Sequence, residues 1–212
     1  LMKKKIAIID YGLGNILSAK TSFLKVINDN SINAEVIITN DPKDILTSTH
    51  IVLPGQGAFE SCMNGIQNIP RMIENLTKSV INNKISFLGI CVGMQLLADV
   101  SYENGEHYGL GWIKGSIEKL KANNLKLPHM GWNNVKIVNN SFKMKFSHEN
   151  KDFYFVHSYF FNCKESGNII ASSHYGSSFA SIVGQENIYG VQFHPEKSSE
   201  QGLQLIKSFI LL

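Results

Sequence analysis

The sequence predicts an α/β fold with a largely parallel central sheet covered by helices, and a second half that is richer in β-strands. Two observations indicate this fold. Through about the first hundred residues, continuous apolar runs alternate with helical patterns, as in parallel sheets that are buried on both faces. After about residue 110 the helical patterns become rare, and shorter strand patterns follow one another between turn residues.

The composition is that of a globular protein with a full hydrophobic core. The chain has 212 residues, of which 43% are hydrophobic and 17% are charged, and no repeat or linker divides it. A chain of this length buries about 70% of its unfolded surface, so we expect a single domain over residues 1–212. The net charge is only +3, which argues against nucleic acid as a partner.

The cysteines indicate a reducing environment. Cys62, Cys91 and Cys163 are odd in number and lack the CxxC spacing of zinc sites, so they predict neither a disulfide framework nor a metal site. No sequence pattern predicts a cofactor. We find no signal peptide and no apolar run of about 18 residues, so we expect a cytoplasmic protein that does not bind membranes.

Each element of the first half follows from a local pattern. Four apolar runs predict buried strands, at residues 5–10, 34–39, 50–54 and 85–90. A glycine-containing turn and a helix follow the first strand, and further helices are predicted at residues 58–66 and 70–82. Because strands alternate with helices, the strands should be parallel.

The second half predicts shorter strands and one closing helix. The strands are expected at residues 111–120, 125–138, 152–157, 169–175, 180–185 and 188–194. Residues 199–212 form a helical pattern with an apolar side. The carboxyl end of the strand at 85–90 should carry a ligand site, as such ends do in open parallel sheets.

The segment 87–97 places Cys91 between Gly89 and Gly93, where a predicted strand meets a helical pattern. Small flanking residues are typical of a nucleophile elbow, a sharp turn in which a Cβ would collide with the backbone. Such a turn pushes the thiol clear of the chain, and a helix N-terminus favours the thiolate that attacks carbonyls. Cys91 is therefore the candidate nucleophile.

A thiolate nucleophile needs a base, and the segment 190–197 supplies one. His194 is expected to end an apolar strand, and Pro195 stiffens the exit from it. Glu196 follows two residues after the histidine, close enough to hold the imidazole and stabilise its charged form. The predicted catalytic residues are Cys91, His194 and Glu196.

Attack on a carbonyl also requires donors for the oxyanion that develops. The backbone N–H of Val92, directly after the nucleophile, is the first candidate. A second donor is expected from the glycine loop that follows another strand, at Gly55, Gln56 and Gly57. A peptide flip in this loop would gate the reaction.

These motifs resemble those of a known family. GICVGMQLL at 89–97 and FHPEK at 193–197 are similar to class I, triad-type glutamine amidotransferases, which release ammonia from glutamine. Further motifs resemble one branch, the glutaminase subunits of imidazole glycerol phosphate synthase: DYGLGN at 10–15, LPGQGAF at 53–59, LPHMGWN at 127–133 and YFVHSY at 154–159. The resemblance covers nearly the whole chain and implies a flavodoxin-like class I amidotransferase fold.

The resemblance also implies roles for individual residues. Cys91 would form a glutamyl thioester, His194 would act first as base and then as acid, and Glu196 would orient it. Glutamine would be bound by Gln95, one helical turn beyond the nucleophile, and by the backbone around three consecutive residues. Those residues are His157, Ser158 and Tyr159.

The partner that the resemblance implies is a (β/α)8-barrel cyclase, joined with this chain in a heterodimer, which receives the ammonia through its interior. The cyclase would use that ammonia to make imidazole glycerol phosphate and aminoimidazole carboxamide ribotide in histidine biosynthesis. Asn15, Trp132, Tyr154 and Lys197 match family positions at or near this interface. Gln56 departs from the family, which commonly has valine in the oxyanion loop.

Other functions remain open from the sequence. A related glutaminase could supply ammonia for acetamidino-sugar synthesis, since the partner sets the acceptor. A stand-alone cysteine peptidase or γ-glutamyl hydrolase could use a similar scaffold without a partner. A non-catalytic interaction protein is disfavoured because all three candidate catalytic residues are present.

Overall fold

The computed structural model describes residues 3–145 and 151–212, and it confirms the predicted α/β fold. In chain order the strands are β1 (Lys4–Ile9), β2 (Ala34–Thr39), β3 (His50–Gly55), β4 (Ser86–Cys91), β5 (Val100–Ser101), β6 (His107–Tyr108), β7 (Gly115–Lys119), β8 (His129–Ile137), β9 (Lys151–His157), β10 (Tyr159–Cys163), β11 (Ile169–Tyr175), β12 (Ser177–Gln185) and β13 (Ile188–Val191). The helices are α1 (Ile16–Asp29), α2 (Pro42–Thr47), α3 (Phe59–Gln67), α4 (Met72–Thr77), α5 (Val92–Gln95) and α6 (Ser199–Ile210).

The sheet combines a parallel half with an antiparallel half. Its main path runs β2–β1–β3–β4–β13–β12–β10–β7–β5–β6. The strands β2, β1, β3, β4 and β13 pair in parallel, and β12 then pairs antiparallel with β13. The strand β11 joins β12 to β8, which in turn pairs with β9. The four strands predicted in the first half are therefore present and parallel.

The core lies on both faces of the parallel strands. Residues 6–9 of β1 and residues 51–53 of β3 are fully buried, as their continuous apolar runs predict. The helices α1 and α6 lie against each other, with the rings of Phe23 and Phe209 in an edge-to-face contact at 6.3 Å. In the described residues, no helix is both long enough and apolar enough to span a bilayer.

Several predicted boundaries differ from those of the structure. The helix expected at 70–82 begins at Met72, because Arg71 adopts a left-handed backbone with φ 65°, and after Thr77 it widens into a π-helical turn at Lys78–Asn82. The strand expected at 188–194 ends at Val191, so His194 lies beyond it. The strand expected at 111–120 covers only Gly115–Lys119.

Candidate active site

Cys91 occupies a strained turn at the carboxyl end of β4. Its backbone has φ 55° and ψ −113°, a conformation that residues other than glycine rarely adopt. The surrounding backbone leaves no room for a side chain at either of the glycines that flank this turn, Gly89 and Gly93. A Cβ on Gly93 would overlap the Leu53 carbonyl oxygen, and a Cβ on Gly89 would overlap the Gly93 carbonyl oxygen. The glycines on either side of the cysteine are therefore required, as the motif predicts.

The helix that follows the cysteine is short. The helix α5 contains only four residues, Val92–Gln95. Cys91 does precede a helix N-terminus, as expected, but a single turn has little macrodipole, so its contribution to the stability of a Cys91 thiolate is small. Val92 is nevertheless the first residue of that turn, and the N–H of such a residue has no partner within its helix.

His194 and Glu196 form a buried pair next to the elbow. The strand β13 pairs with β4, and the chain then leaves the sheet so that the His194 N–H donates to the Tyr154 carbonyl at 2.9 Å. A short turn at Pro195–Lys197 brings Glu196 back toward the ring. Nδ1 of His194 lies 2.8 Å from Oε1 of Glu196, and the two side chains are 4% and 2% exposed.

The charge around His194 favours its protonated form. Burial lowers the pKa of His194, but the neighbouring Cys91 sulfur and the Glu196 carboxylate outweigh it and raise the pKa to about 10. Within the described part of the chain, Nε2 makes no hydrogen bond of standard geometry. The Cys91 sulfur and the Glu196 carboxylate thus both favour the imidazolium form of His194.

The predicted substrate residues meet around the carbonyl oxygen of Tyr159. That oxygen accepts one hydrogen bond from Gln95 Nε2 at 3.2 Å and another from His157 Nδ1 at 2.8 Å. The same Gln95 nitrogen lies 3.1 Å from Oε1 of Gln192, and Nε2 of Gln192 lies 3.8 Å from the sulfur of Cys91. The structure thus joins Gln95, His157 and Tyr159, and adds Gln192, which sequence reasoning missed.

A second histidine continues this hydrogen-bonded chain away from the cavity. Since Nδ1 of His157 donates to a carbonyl, its Nε2 must accept, and it lies 2.9 Å from Nδ1 of His129. Nε2 of His129 in turn lies 3.2 Å from Nδ2 of Asn133. Burial lowers the pKa of His157 to about 3 and that of His129 to about 4. Both rings are therefore neutral at pH 7.

The predicted oxyanion loop lies directly beside the nucleophile. Gly55 ends β3 and pairs in register with Cys91, and Gly57 has φ +100°. Two side chains behind the loop hold its carbonyls: Tyr11 Oη donates to the Pro54 oxygen at 2.7 Å, and Cys62 Sγ to the Gln56 oxygen at 3.4 Å. The side chain of Gln56 is exposed. The loop thus has two of its carbonyls anchored next to the cavity.

A cavity of about 240 Å³ opens between these groups. Its lining contains residues predicted for three different roles. They are the candidate catalytic residues Cys91 and His194, the candidate oxyanion donors Val92, Gln56 and Gly57, and the residues expected to bind substrate, Gln95, His157, Ser158 and Tyr159. A larger cavity of about 590 Å³ lies at the opposite end of β4, beside Ser86 and Asn187, and contains none of the predicted residues. The smaller cavity has the chemistry and suits a ligand of amino-acid size.

Glu103 is a second residue that sequence reasoning missed. It lines the same cavity, and its Oε2 accepts the Phe59 N–H at the start of α3 at 2.8 Å. Glu103 lies just after the two-residue strand β5, in a segment with neither periodicity nor a motif. No local signal could have identified it, because only the packing of that segment against α3 brings it to the cavity.

The residues expected at the partner interface are at or near the surface. Trp132 is 53% exposed and packs edge-to-face against Tyr154 at 6.1 Å, since the two pair in register on β8 and β9. Lys197 is exposed in the turn that carries Glu196, and Ser198 Oγ accepts the Tyr154 N–H at 3.0 Å. Asn15 precedes α1 and is half-buried. Trp132, Tyr154 and Lys197 are thus linked through one network of neighbouring segments.

The site has the groups for acyl transfer by a thiol. It brings together a thiol, an imidazole with a carboxylate on its far side, and backbone N–H groups, which is the arrangement that carbonyl chemistry needs. Among residues 3–145 and 151–212, no three His, Cys, Asp or Glu side chains are grouped so that they could hold a metal ion.

Solved structures share the fold of this chain at low sequence identity. A glutamine amidotransferase aligns with a TM-score of 0.71 at 14% identity, covering 98% of this chain and 99% of the other. A glutamine amidotransferase of Thermotoga maritima aligns with a TM-score of 0.62 at 17% identity, covering 92% of this chain and 77% of the other. These likenesses establish the architecture alone.

Comparison of sequences identifies the family. The family model of glutamine amidotransferase class-I matches residues 8–212. Imidazole glycerol phosphate synthase subunit HisH of Rhodospirillum rubrum is 43% identical over 209 residues, covering 97% of this chain and 98% of that protein. Subunit HisH 2 of Methanococcus maripaludis is 46% identical over 209 residues, with coverages of 97% and 98%. The chain therefore belongs to the class-I glutamine amidotransferases and, within them, to the family of imidazole glycerol phosphate synthase subunit HisH.

Proposed function

We propose that this protein is the glutaminase half of a two-subunit enzyme. It hydrolyses glutamine to glutamate and ammonia, and passes the ammonia to a (β/α)8-barrel cyclase that makes imidazole glycerol phosphate. The observation that carries the proposal is that Cys91 and His194, distant in sequence, line one small cavity, with Glu196 bonded to the far side of the imidazole at 2.8 Å.

The first half of the reaction releases ammonia. The Cys91 sulfur attacks the side-chain carbonyl carbon of glutamine, a C–S bond forms, and the carbonyl electrons move to oxygen. The N–H of Val92 and a peptide of the loop at residues 55–57 stabilise that oxyanion. When the oxyanion collapses, the imidazolium of His194 protonates the amide nitrogen, the C–N bond breaks and ammonia leaves.

The second half restores the enzyme. His194, now neutral, takes a proton from water while the water oxygen attacks the thioester carbon. The C–S bond breaks, and the electrons return to the Cys91 sulfur, which again faces an imidazolium. The new carboxyl group ionises and glutamate leaves. Glu196 stabilises the charged ring in both resting and product states and keeps Nδ1 protonated.

The cavity also contains groups that suit the amino-acid end of glutamine. Both N–H groups of the Gln95 amide are used within the protein, so its oxygen remains as an acceptor. Glu103 uses one carboxylate oxygen on the Phe59 N–H, and the other can accept from an α-ammonium. We assign Glu103 to the α-ammonium group and Gln95, with the backbone at residues 157–159, to the rest of the substrate.

The relatives' name places them in a synthase that has more than one subunit. In this chain the apolar Met130 and Trp132 are 62% and 53% exposed on β8. Trp132 packs against Tyr154, whose carbonyl accepts the His194 N–H, and Lys197 lies in the turn that follows His194. Together these features support a cyclase docked over this edge. Cytoplasmic action is part of the proposal and agrees with three free cysteines.

The test compares glutamine with ammonium salts as the source of nitrogen for the complex of this protein with the cyclase. Cys91→Ala should abolish glutamate release and glutamine-dependent synthesis, while synthesis from ammonium salts continues. Cys163→Ala, a matched change at a half-buried cysteine far along the sequence, should leave both intact. Glutamate release by the Cys91→Ala complex would overturn the proposed mechanism. Failure to bind a barrel cyclase, together with strong peptidase activity of the chain alone, would overturn the proposed pathway.

A further inference from the structure

The amide of Gln192 lies between the nucleophile and a residue of the glutamine site. Gln192 is fully buried, directly after β13, and its backbone N–H donates to the Ser181 carbonyl at 2.9 Å. Its side-chain nitrogen lies 3.8 Å from the Cys91 sulfur, and its oxygen lies 3.1 Å from Gln95 Nε2. The proposed reaction gives this residue no step.

Hydrogen-bond polarity determines which end of the amide faces the sulfur. The backbone oxygen of Tyr159 can only accept, so the group of Gln95 that lies 3.2 Å from it must be the NH2. The second hydrogen of that NH2 needs an acceptor, and the neighbouring atom of Gln192 must therefore be the oxygen. The remaining end of Gln192, the NH2, then faces Cys91. A chain of fixed polarity thus begins at a backbone carbonyl and ends in an N–H aimed at the sulfur.

A backbone carbonyl next to the sulfur, besides His194, gives such a donor a role. The Val156 carbonyl oxygen lies 4.0 Å from the Cys91 sulfur. It can accept from a thiol, but it repels a thiolate. A buried donor on another side offsets this repulsion, and hydrogen bonds to a charged group are stronger than neutral ones.

We propose that Gln192 is a catalytic residue of this site that stabilises the Cys91 thiolate by donating a side-chain N–H to its sulfur. Through the same amide it fixes the orientation of Gln95, so that the nucleophile and the substrate site are held by one hydrogen-bonded chain. This inference depends on the proposed role of Cys91 as nucleophile.

The test replaces the donor by an acceptor of the same shape. In Gln192→Glu the oxygen that faces Gln95 is retained, while the NH2 that faces the sulfur becomes a carboxylate oxygen. The change leaves in place the other titratable groups near Cys91. They are His194 with Glu196 behind it, Tyr11 and Cys62, and the cavity-lining Glu103 and His157. The matched control is Gln185→Glu, the same chemical change at an exposed position of β12.

The readout is the rate at which iodoacetamide alkylates Cys91 from pH 5 to 10, located by peptide mass spectrometry on the intact chain. In Gln192→Glu the pH at the midpoint of this alkylation profile should rise by about one unit or more. At pH values below the midpoint, Cys91 should then be alkylated about tenfold more slowly than in the wild type. Gln192→Met, neutral and without a donor, should shift the midpoint in the same direction by less. Gln185→Glu should match the wild type.

The outcomes separate this inference from the proposed function. A wild-type profile in Gln192→Glu, or in Gln192→Met if the glutamate variant does not fold by circular dichroism, overturns the role of Gln192. If Cys91 of the wild type reacts no faster than Cys163, the proposed nucleophile itself fails. A reactive Cys91 whose profile shifts in both variants supports both.

Discussion

Glu196 accepts a hydrogen bond from His194 through one carboxylate oxygen at 2.8 Å, while its other oxygen, Oε2, is buried and, among the described residues, has no hydrogen-bond partner. A buried carboxylate so poorly solvated is held in place mainly by the charge on the imidazole. The main effect of the pair is therefore to stabilise the imidazolium form of His194, and its contribution to the free energy of unfolding is smaller.

Glu196→Gln should lower the rate of glutamate release by at least about tenfold, because the amide oxygen can still orient Nδ1 but no longer stabilises the charged ring. The measurement is glutaminase kcat in the complex. Glu200→Gln, an exposed residue of α6, is the matched control and should behave as the wild type. An unchanged kcat in Glu196→Gln would show that the carboxylate charge is irrelevant.

Glu103→Gln should raise the KM for glutamine and change kcat little, because the variant keeps an acceptor for the Phe59 N–H but loses the charge for an α-ammonium. Initial rates over a range of glutamine concentrations check this. Glu106→Gln, three residues further and exposed, serves as the control. If the two variants have the same KM, Glu103 has only its structural role at the start of α3.

Tyr11→Phe should destabilise the protein by about 1–3 kcal/mol, since it leaves the buried Pro54 carbonyl without its donor. The free energy of unfolding in urea measures this. Tyr175→Phe also removes a hydroxyl bonded to a carbonyl, that of Lys126, but at an exposed site, so its effect should be smaller. Equal losses in both variants would contradict the importance of burial under the oxyanion loop.

Gly93→Ala should prevent folding or cost more than about 4 kcal/mol, because the added methyl group would overlap the rigid backbone of Leu53. Gly167→Ala adds the same methyl group where no atom lies within 4 Å, and should stay within about 1 kcal/mol of the wild type. Thermal unfolding monitored by circular dichroism distinguishes them. A stable Gly93→Ala protein would refute the close approach of the elbow to β3.

Acidification should destabilise the fold through histidines that are buried in neutral form. Burial, assisted by Lys4, lowers the pKa of His50 to about 4 from 6.5 in the unfolded chain. The unfolded state therefore binds more protons between these values, so the stabilisation is complete above pH 6.5 and is lost as pH falls to about 4. His129 and His157 act in the same direction.

His50→Phe should reduce the loss of unfolding free energy between pH 7 and pH 4 by about 3 kcal/mol. Urea titrations across this range measure it. Thr49 keeps other partners in the variant, because its hydroxyl also bonds the backbone of Lys5. His174→Phe, at an exposed histidine, should retain the full acid sensitivity of the wild type. A parallel pH dependence in the wild type and His50→Phe would contradict the assignment.

The parallel half and the candidate catalytic residues were predictable because their signals are local. Apolar runs reveal strands that are buried on both faces, and the glycines around Cys91 reveal a turn with no room for a Cβ. Gln192 and Glu103 carry no such signal. Gln192 reaches Cys91 only because β13 pairs with β4, and Glu103 enters the cavity only through packing against α3. Long-range pairing of this kind cannot be inferred from spacing along one chain.

The positive φ of Cys91 places the thiol at the cavity but reduces the stability of the fold. Its φ of 55° suits glycine, and a residue with a side chain in this conformation costs about 1–3 kcal/mol. Glycine at position 91 would therefore be less strained, and selection for stability alone would replace the cysteine. Because cysteine is present there, the folded protein has a smaller free energy of unfolding than it could have, and in exchange it places a thiol at the cavity.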